Sequence, residues 1–170
     1  MAINKICESF EAAVSGIKDG STILVSGFGG AGMPTELLNA LREQGASELT
    51  IVSNNAGVGK EGIGGLLLDG RVKKVICSYP RSGGSVVFEE MWAAGKVDLE
   101  VVPQGTLSER IRAAGAGIGG FYTPTGVGTQ LAEGKEVREI NGRLQVLEAP
   151  LKGDVAFILA RQSDRWGNLV

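Results

Sequence analysis

The sequence predicts an α/β fold: an open, mostly parallel β-sheet with helices on both faces, plus a β-hairpin excursion near residues 135–148. Three observations predict it. Short, apolar, β-branched runs alternate with helix-period segments in units of roughly thirty residues, the pattern of βαβ crossovers. Glycine makes up 27 of the 170 residues and clusters between those runs without a fixed period, so tight strand-to-helix turns are expected. Residues 135–148 break the pattern with two alternating runs around Asn141-Gly142, the strongest short-range hairpin signal.

The elements follow in order. Ile3, Ile6, Cys7, Phe10, Ala13, Val14 and Ile17 recur at helical spacing, which predicts an amphipathic helix over 3–17. Asp19-Gly20 turns the chain into a buried strand, "TILVS" (22–26). A glycine loop follows. Pro34 then suits a first helical position, Leu37, Leu38 and Leu41 form the apolar stripe, and Gly45 stops the helix. The unit repeats as strand "LTIVS" (49–53), loop "NNAGVG" and a short helix in "GIGGLLLD". It repeats again as strand "KKVICS" (73–78), loop "YPRSGG" and a helix from Val86 to Ala94. Strand "LEVV" (99–102) leads through the turn "PQG" to a helix ending near Ala114, whose start is expected at a Thr106/Glu109 capping box. "VAFILA" (155–160) returns to buried-strand character. No linker or second core interrupts residues 1–170, so one domain is expected.

Composition narrows the function. The net charge of −2 leaves no basic footprint for nucleic acid. No apolar run reaches the ~20 residues that span a bilayer, and Glu8 and Glu11 interrupt any signal-peptide core. A cytoplasmic protein with no membrane partner is expected. The two cysteines, Cys7 and Cys77, form no motif and read as core thiols. There is no histidine. That removes Ser-His-Asp and Cys-His nucleophile systems and the commonest metal ligand, and no metal is expected. Chemistry must rest on carboxylates, amides, backbone N–H groups or a partner's residues.

Ligands of open parallel sheets bind beyond the carboxyl ends of the strands. The loops at that edge are "GFGGAG", "SNNAG", "SYPRSGG" and "VPQGT". They carry bare glycine backbone, the amides of Asn54, Asn55 and Gln104, hydroxyls, and one guanidinium at Arg81. Such an edge suits carbonyl oxygens, carboxylates or an anionic ligand. It holds no evident nucleophile or general base. Gly27, Gly29 and Gly32 also match the G-x-G-x-x-G spacing of a dinucleotide loop. That fingerprint wants an acid at the end of the second strand, and here Ser53, Asn54 and Asn55 stand there. A purely structural turn is the other bland reading. Asn54 and Asn55 could serve an Asx turn, and Arg81 a solvated loop.

"DGSTILVSGFGGAGMP" (19–34) resembles the first signature of family I coenzyme A transferases, departing from it at Ser26, where the signature has a glycine. The resemblance continues through "SNNAG", "PQGTLSERIRAAGAGIGGFYTPTGVGT", "LAEGKEVREINGR" and "DRWGNL", covering nearly the whole chain in order. It is to the A subunit of the 3-oxoacid type, and "CSYPRSGG" resembles the 3-oxoadipate branch more than the succinyl-CoA:acetoacetate one. The resemblance implies transfer of CoA from succinyl-CoA to a 3-oxo acid through a glutamyl-CoA intermediate. The reacting glutamate is expected on a partner B subunit, in a heterodimer or heterotetramer. CoA enters as a thioester substrate and no permanently bound cofactor is implied. The resemblance makes Gln104 the stabiliser of the thioester oxyanion. It makes Val25, Ser26, Gly27, Phe28, Gly29, Gly30, Ala31 and Gly32 the loop that meets CoA. Asn54 and Asn55 are expected to donate into the same pocket, and Arg81 to hold the second carboxylate of a dicarboxylic acceptor. Members of the family continue past "DRWGNL", so a domain truncated at its C-terminal end is implied. Rival readings are the A subunit of a succinyl-CoA:acetoacetate or acetate:acetoacetate CoA-transferase, a dinucleotide-binding enzyme, and a non-catalytic regulatory domain of related fold.

Overall fold

The computed structural model describes residues 3–170. Five parallel strands form the main sheet: β1 (Thr22–Val25), β2 (Leu49–Asn55), β3 (Val72–Tyr79), β4 (Asp98–Val101) and β8 (Val155–Phe157). Their spatial order is β4-β3-β2-β1-β8. From β1 to β4 the chain steps one strand at a time in the same direction. Crossovers of one hand therefore place α2 (Thr35–Gln44), α3 (Ile63–Leu68) and α4 (Val86–Ala93) on one face. The chain then returns past β1 to pair β8 with it, and this reversal puts α5 (Gln104–Gly115) on the other face. The place where strand order reverses, between β1 and β8, is where such sheets open a crevice.

Burial follows strand parity, because successive side chains point to opposite faces. Ile23, Val25, Leu49, Ile51, Val75 and Cys77 pack with Leu38, Leu41, Ile63, Leu66 and Phe88 in the larger core. Val52 and Ile76 face the other way and pack with Val102 and Leu107, with Leu24, Ile111 and Leu151 at the margin. Helices flank both faces as expected, but unequally. α2, α3 and α4 pack on one face, while α5 packs on the other, which opens into a cleft at its β1/β8 end.

Pro34 caps α2 and Ala94 caps α4, each one residue off expectation, and two helices depart by more. Of the predicted helix over 3–17 only α1 (Phe10–Val14) forms, capped by the Ser9 hydroxyl accepting from the Ala12 N–H. Residues before it are drawn away by a hydrogen bond from the Lys5 N–H to the Arg165 carbonyl, 2.8 Å. Ile3 and Ile6 stay exposed. The last helix starts at Gln104, with Pro103 at its N-cap, so the Thr106/Glu109 capping box does not form. Thr106 is buried inside the first turn, and Glu109 pairs with Arg112.

The hairpin forms as predicted. β6 (Val137–Ile140) and β7 (Arg143–Glu148) are antiparallel, and β5 (Phe121–Thr123) completes a three-stranded sheet of order β5-β7-β6. Asn141 and Gly142 take φ of 53° and 75°, the two left-handed residues that a two-residue hairpin turn requires. Ionic contacts tie this sheet to the main one. Glu100 of β4 accepts from Lys74 (2.5 Å) and Arg110 (2.8 Å). Arg110 also reaches the Ala149 carbonyl (2.8 Å), and the buried Glu148 takes Lys135 (2.7 Å).

Candidate active site

The even-phase residues at the carboxyl ends of β2 and β3 are Asn54 and Ser78. They share the α5 face of the sheet with Val52 and Ile76. Gln104 opens α5 directly above them. The three side chains meet. The Asn54 Nδ2 donates to Gln104 Oε1 (2.8 Å) and to Ser78 Oγ (3.1 Å). The Ser78 hydroxyl faces both Gln104 Oε1 and the Asn54 backbone carbonyl (3.1 Å from the latter). Both contacts to the Gln104 carboxamide thus fall on its oxygen, and its Nε2 has no hydrogen-bond partner among the described residues. No side chain caps the start of α5, so the positive end of that helix adds to the field there.

Gln104 and Asn54 line a cleft of about 370 Å³ with Leu24, Ser26, Gly27 and Leu107. The cleft runs along the open β1/β8 end of the α5 face. Its lining is mostly apolar and, among the described residues, includes no Asp, Glu, Lys or Arg.

The glycine loop closes one side. Phe28 and Ala31 exchange backbone hydrogen bonds (2.9 and 3.1 Å), folding Gly29-Gly30 into a tight turn. Gly27 has φ of +118°, and a Cβ there would meet the Ala31 carbonyl at 3.0 Å and the Met33 nitrogen at 3.1 Å. Only glycine suits that point. Val25 is buried at the end of β1, whereas Phe28 at the tip is 76% exposed. Ser26, the departure from the glycine signature, has a task here. Its hydroxyl donates to the Gly32 carbonyl (2.8 Å) and accepts from the Leu159 N–H (3.1 Å). It pins the base of the loop to the segment after β8.

Asn55 points the opposite way from Asn54. It is buried, its Nδ2 donates to the Gly29 carbonyl (3.2 Å), and its Oδ1 accepts from the Gly57 N–H (2.8 Å). It therefore braces the glycine loop from behind and is not brought to the Gln104 cluster. Arg81 is not brought there either. Its Nε and Nη2 both reach the Glu89 carboxylate at 3.0 Å, beside Pro80 and Trp92. That pairing raises the Arg81 pKa and lowers that of Glu89. Cys77 is a core thiol as expected; burial pushes its pKa up to about 11. Cys7 is also free but exposed, so it is no core thiol. Ser78 is the residue that sequence reasoning passed over. The signal was available, since it stands at the same strand phase as Asn54.

The family model for coenzyme A transferase matches residues 7–170. The chain belongs to the coenzyme A transferase family. Among curated relatives, this transferase is 62% identical to the A subunit of the 3-oxoadipate CoA-transferase of Pseudomonas putida, over 98% of its own length and 72% of the relative's. It is 48% identical to the A subunit of the probable succinyl-CoA:3-ketoacid coenzyme A transferase of Bacillus subtilis, over 99% of its length and 70% of that protein's. Among solved structures, the acyl-CoA transferase YdiF of Escherichia coli O157:H7, in a thioester complex with CoA, superposes with a TM-score of 0.75 at 26% identity. That match covers 89% of this transferase but 34% of the YdiF chain.

Proposed function

We propose that this chain is the A subunit of a two-subunit, cytoplasmic CoA-transferase that moves CoA from succinyl-CoA to 3-oxoadipate. The observation that carries the reading is the 62% identity to the corresponding subunit of a 3-oxoadipate CoA-transferase across 98% of the chain. The two free thiols suit a reducing compartment.

In this reading a glutamate on the B subunit performs the first attack, on the succinyl-CoA carbonyl, and expels CoA thiolate, leaving an acyl-glutamyl anhydride. The thiolate attacks the glutamyl carbonyl, releases succinate and leaves a glutamyl-CoA thioester. The acceptor carboxylate repeats the two steps in reverse, so that CoA ends on the 3-oxo acid and the glutamate is regenerated. Each attack makes a tetrahedral oxyanion. The Gln104 Nε2 supplies a donor to it, and the glycine loop lets the thioester approach backbone closely. Among the described residues no carboxylate lines the cleft. Glu89, Glu100, Glu109 and Glu148 are each held by a basic side chain. Both facts support a nucleophile supplied from outside.

Co-expression with the B subunit, followed by a thioester-exchange assay, tests the reading. Exchange from succinyl-CoA to 3-oxoadipate is expected, and Gln104→Ala should cut kcat by about 100-fold, the usual effect of removing one oxyanion donor. Absence of exchange with both 3-oxoadipate and acetoacetate would sink it. A second reading, an acetoacetate acceptor, is favoured by the uncharged cleft lining, because acetoacetate has no second carboxylate to neutralise. The relative rates of the two acceptors decide between them.

A further inference from the structure

We propose that Ser26 is a positioning residue: its hydroxyl ties the glycine loop to the segment after β8 and so holds the cleft in the shape that receives a CoA thioester. The proposal rests on the CoA-transfer reading above and concerns the same site.

Ser26 is the one position where residues 19–34 depart from the family signature, which has a glycine there. The loop it opens, Gly27 to Gly32, has four glycines in six residues. Glycine loses more backbone freedom on ordering than any other residue, so a loop of this composition keeps one shape only where something clamps it. Three clamps are found among the described residues. Phe28 and Ala31 bond each other across the tip. The Asn55 Nδ2 holds the Gly29 carbonyl from behind. Ser26 holds the base, and it alone among the described side chains bonds both the loop and the chain after β8. The sense of its two bonds is fixed, because a carbonyl oxygen only accepts and a backbone N–H only donates. The hydroxyl proton therefore points to the Gly32 carbonyl, 2.8 Å away, and a lone pair takes the Leu159 N–H at 3.1 Å. Gly27 and Ile158, the chain neighbours of Ser26 and Leu159, both line the cleft. The tether thus joins two stretches of the cleft lining. A glycine at position 26 has no group to make either bond. The single hydroxyl proton is committed to Gly32, so the influence of Ser26 on a substrate passes through the loop.

The experiment compares wild type with Ser26→Ala and Ser26→Gly in the assembled complex with the B subunit. Amide hydrogen exchange, with no substrate present, reads the loop directly. Loss of both side-chain bonds should speed exchange at Phe28 and Ala31 about tenfold. Ser26→Gly should be at least as fast, and the amides of β2 and β3 should be unchanged. Steady-state transfer from succinyl-CoA reads the consequence. A loose loop must be ordered by the substrate, and that cost falls on ground state and transition state alike. KM for succinyl-CoA should therefore rise about three- to tenfold while kcat stays within about twofold. Unchanged exchange at Phe28 and Ala31 in both variants would overturn the tether. Faster exchange with unchanged KM, or a loss confined to kcat, would overturn its role in receiving the thioester and leave the proposed function standing. A wild-type complex that transfers no CoA to either acceptor overturns the proposed function and this role with it, whatever the exchange rates.

Discussion

At the scale of single residues, the site depends on conformations and contacts that few side chains could supply. Gly27 combines a left-handed φ with backbone atoms at 3.0 and 3.1 Å from where a Cβ would stand. Gly27→Ala should strain the loop, and if the loop meets the thioester as proposed, a severalfold rise in KM for succinyl-CoA is expected in steady-state assays. Arg81 poses a different question. Its bidentate pair with Glu89 must open before it can hold a substrate carboxylate. If it does so, Arg81→Ala will lower activity with 3-oxoadipate and spare acetoacetate. An unchanged acceptor preference would place the distal carboxylate elsewhere. The pair Asn54 and Asn55 shows what sequence offers at this scale. Residue type marked both as donors. Strand phase, equally legible, separates them: adjacent strand residues face opposite sides, so one joins Gln104 and the other braces the glycine loop.

At the scale of elements, α5 both presents Gln104 and seals the thinner side of the sheet. Leu107 lies one turn after Gln104 and is one of four buried residues in the smaller core. Leu107→Ala should cost about 2–4 kcal/mol, in the range of buried Leu truncations, as read by urea denaturation. Because Gln104 is carried by the same turn, kcat should fall too. The strands and the hairpin were legible because local rules decide them. Periodicity marks which face is apolar, and Asn-Gly suits a turn with two left-handed residues. The first helix was not. Its helical spacing predicted residues 3–17, yet with Ile3 and Ile6 exposed there was no core to hold the first turns, and a contact with Arg165 redirected them. The start of α5 was misplaced for a related reason. Pro103 can begin a helix as well as a capping box can, and burial of Thr106 settled the choice.

At the scale of the whole molecule, the ionic chain Lys74–Glu100–Arg110, with Glu148 and Lys135, joins β3, β4, α5 and the small sheet. Burial pushes the Glu100 carboxyl up, but hydrogen bonds from Arg110 and Lys74 outweigh it, and the net pKa is lowered. A lowered folded-state pKa stabilises above the unfolded carboxylate range and is lost as pH falls through the folded value. Thermal stability should therefore be flat near neutrality and drop below about pH 5. Arg110→Ala leaves the nearly buried Glu148 with fewer partners and strips one from Glu100. It should destabilise by roughly 3 kcal/mol, measured by denaturant unfolding at pH 7.

The alternation of strands and helices, the glycine loop, the hairpin, the lack of histidine and the family can all be read from the unfolded chain. Each is written in local spacing or in residue identity. The return of β8 beside β1 and the crossing of α5 to the opposite face are set by packing of the whole chain. That reversal brings together Asn54, Ser78 and Gln104, which are 24, 26 and 50 positions apart in the chain. Local patterns state which face of an element is apolar. Which other element covers that face is a property of the packed whole.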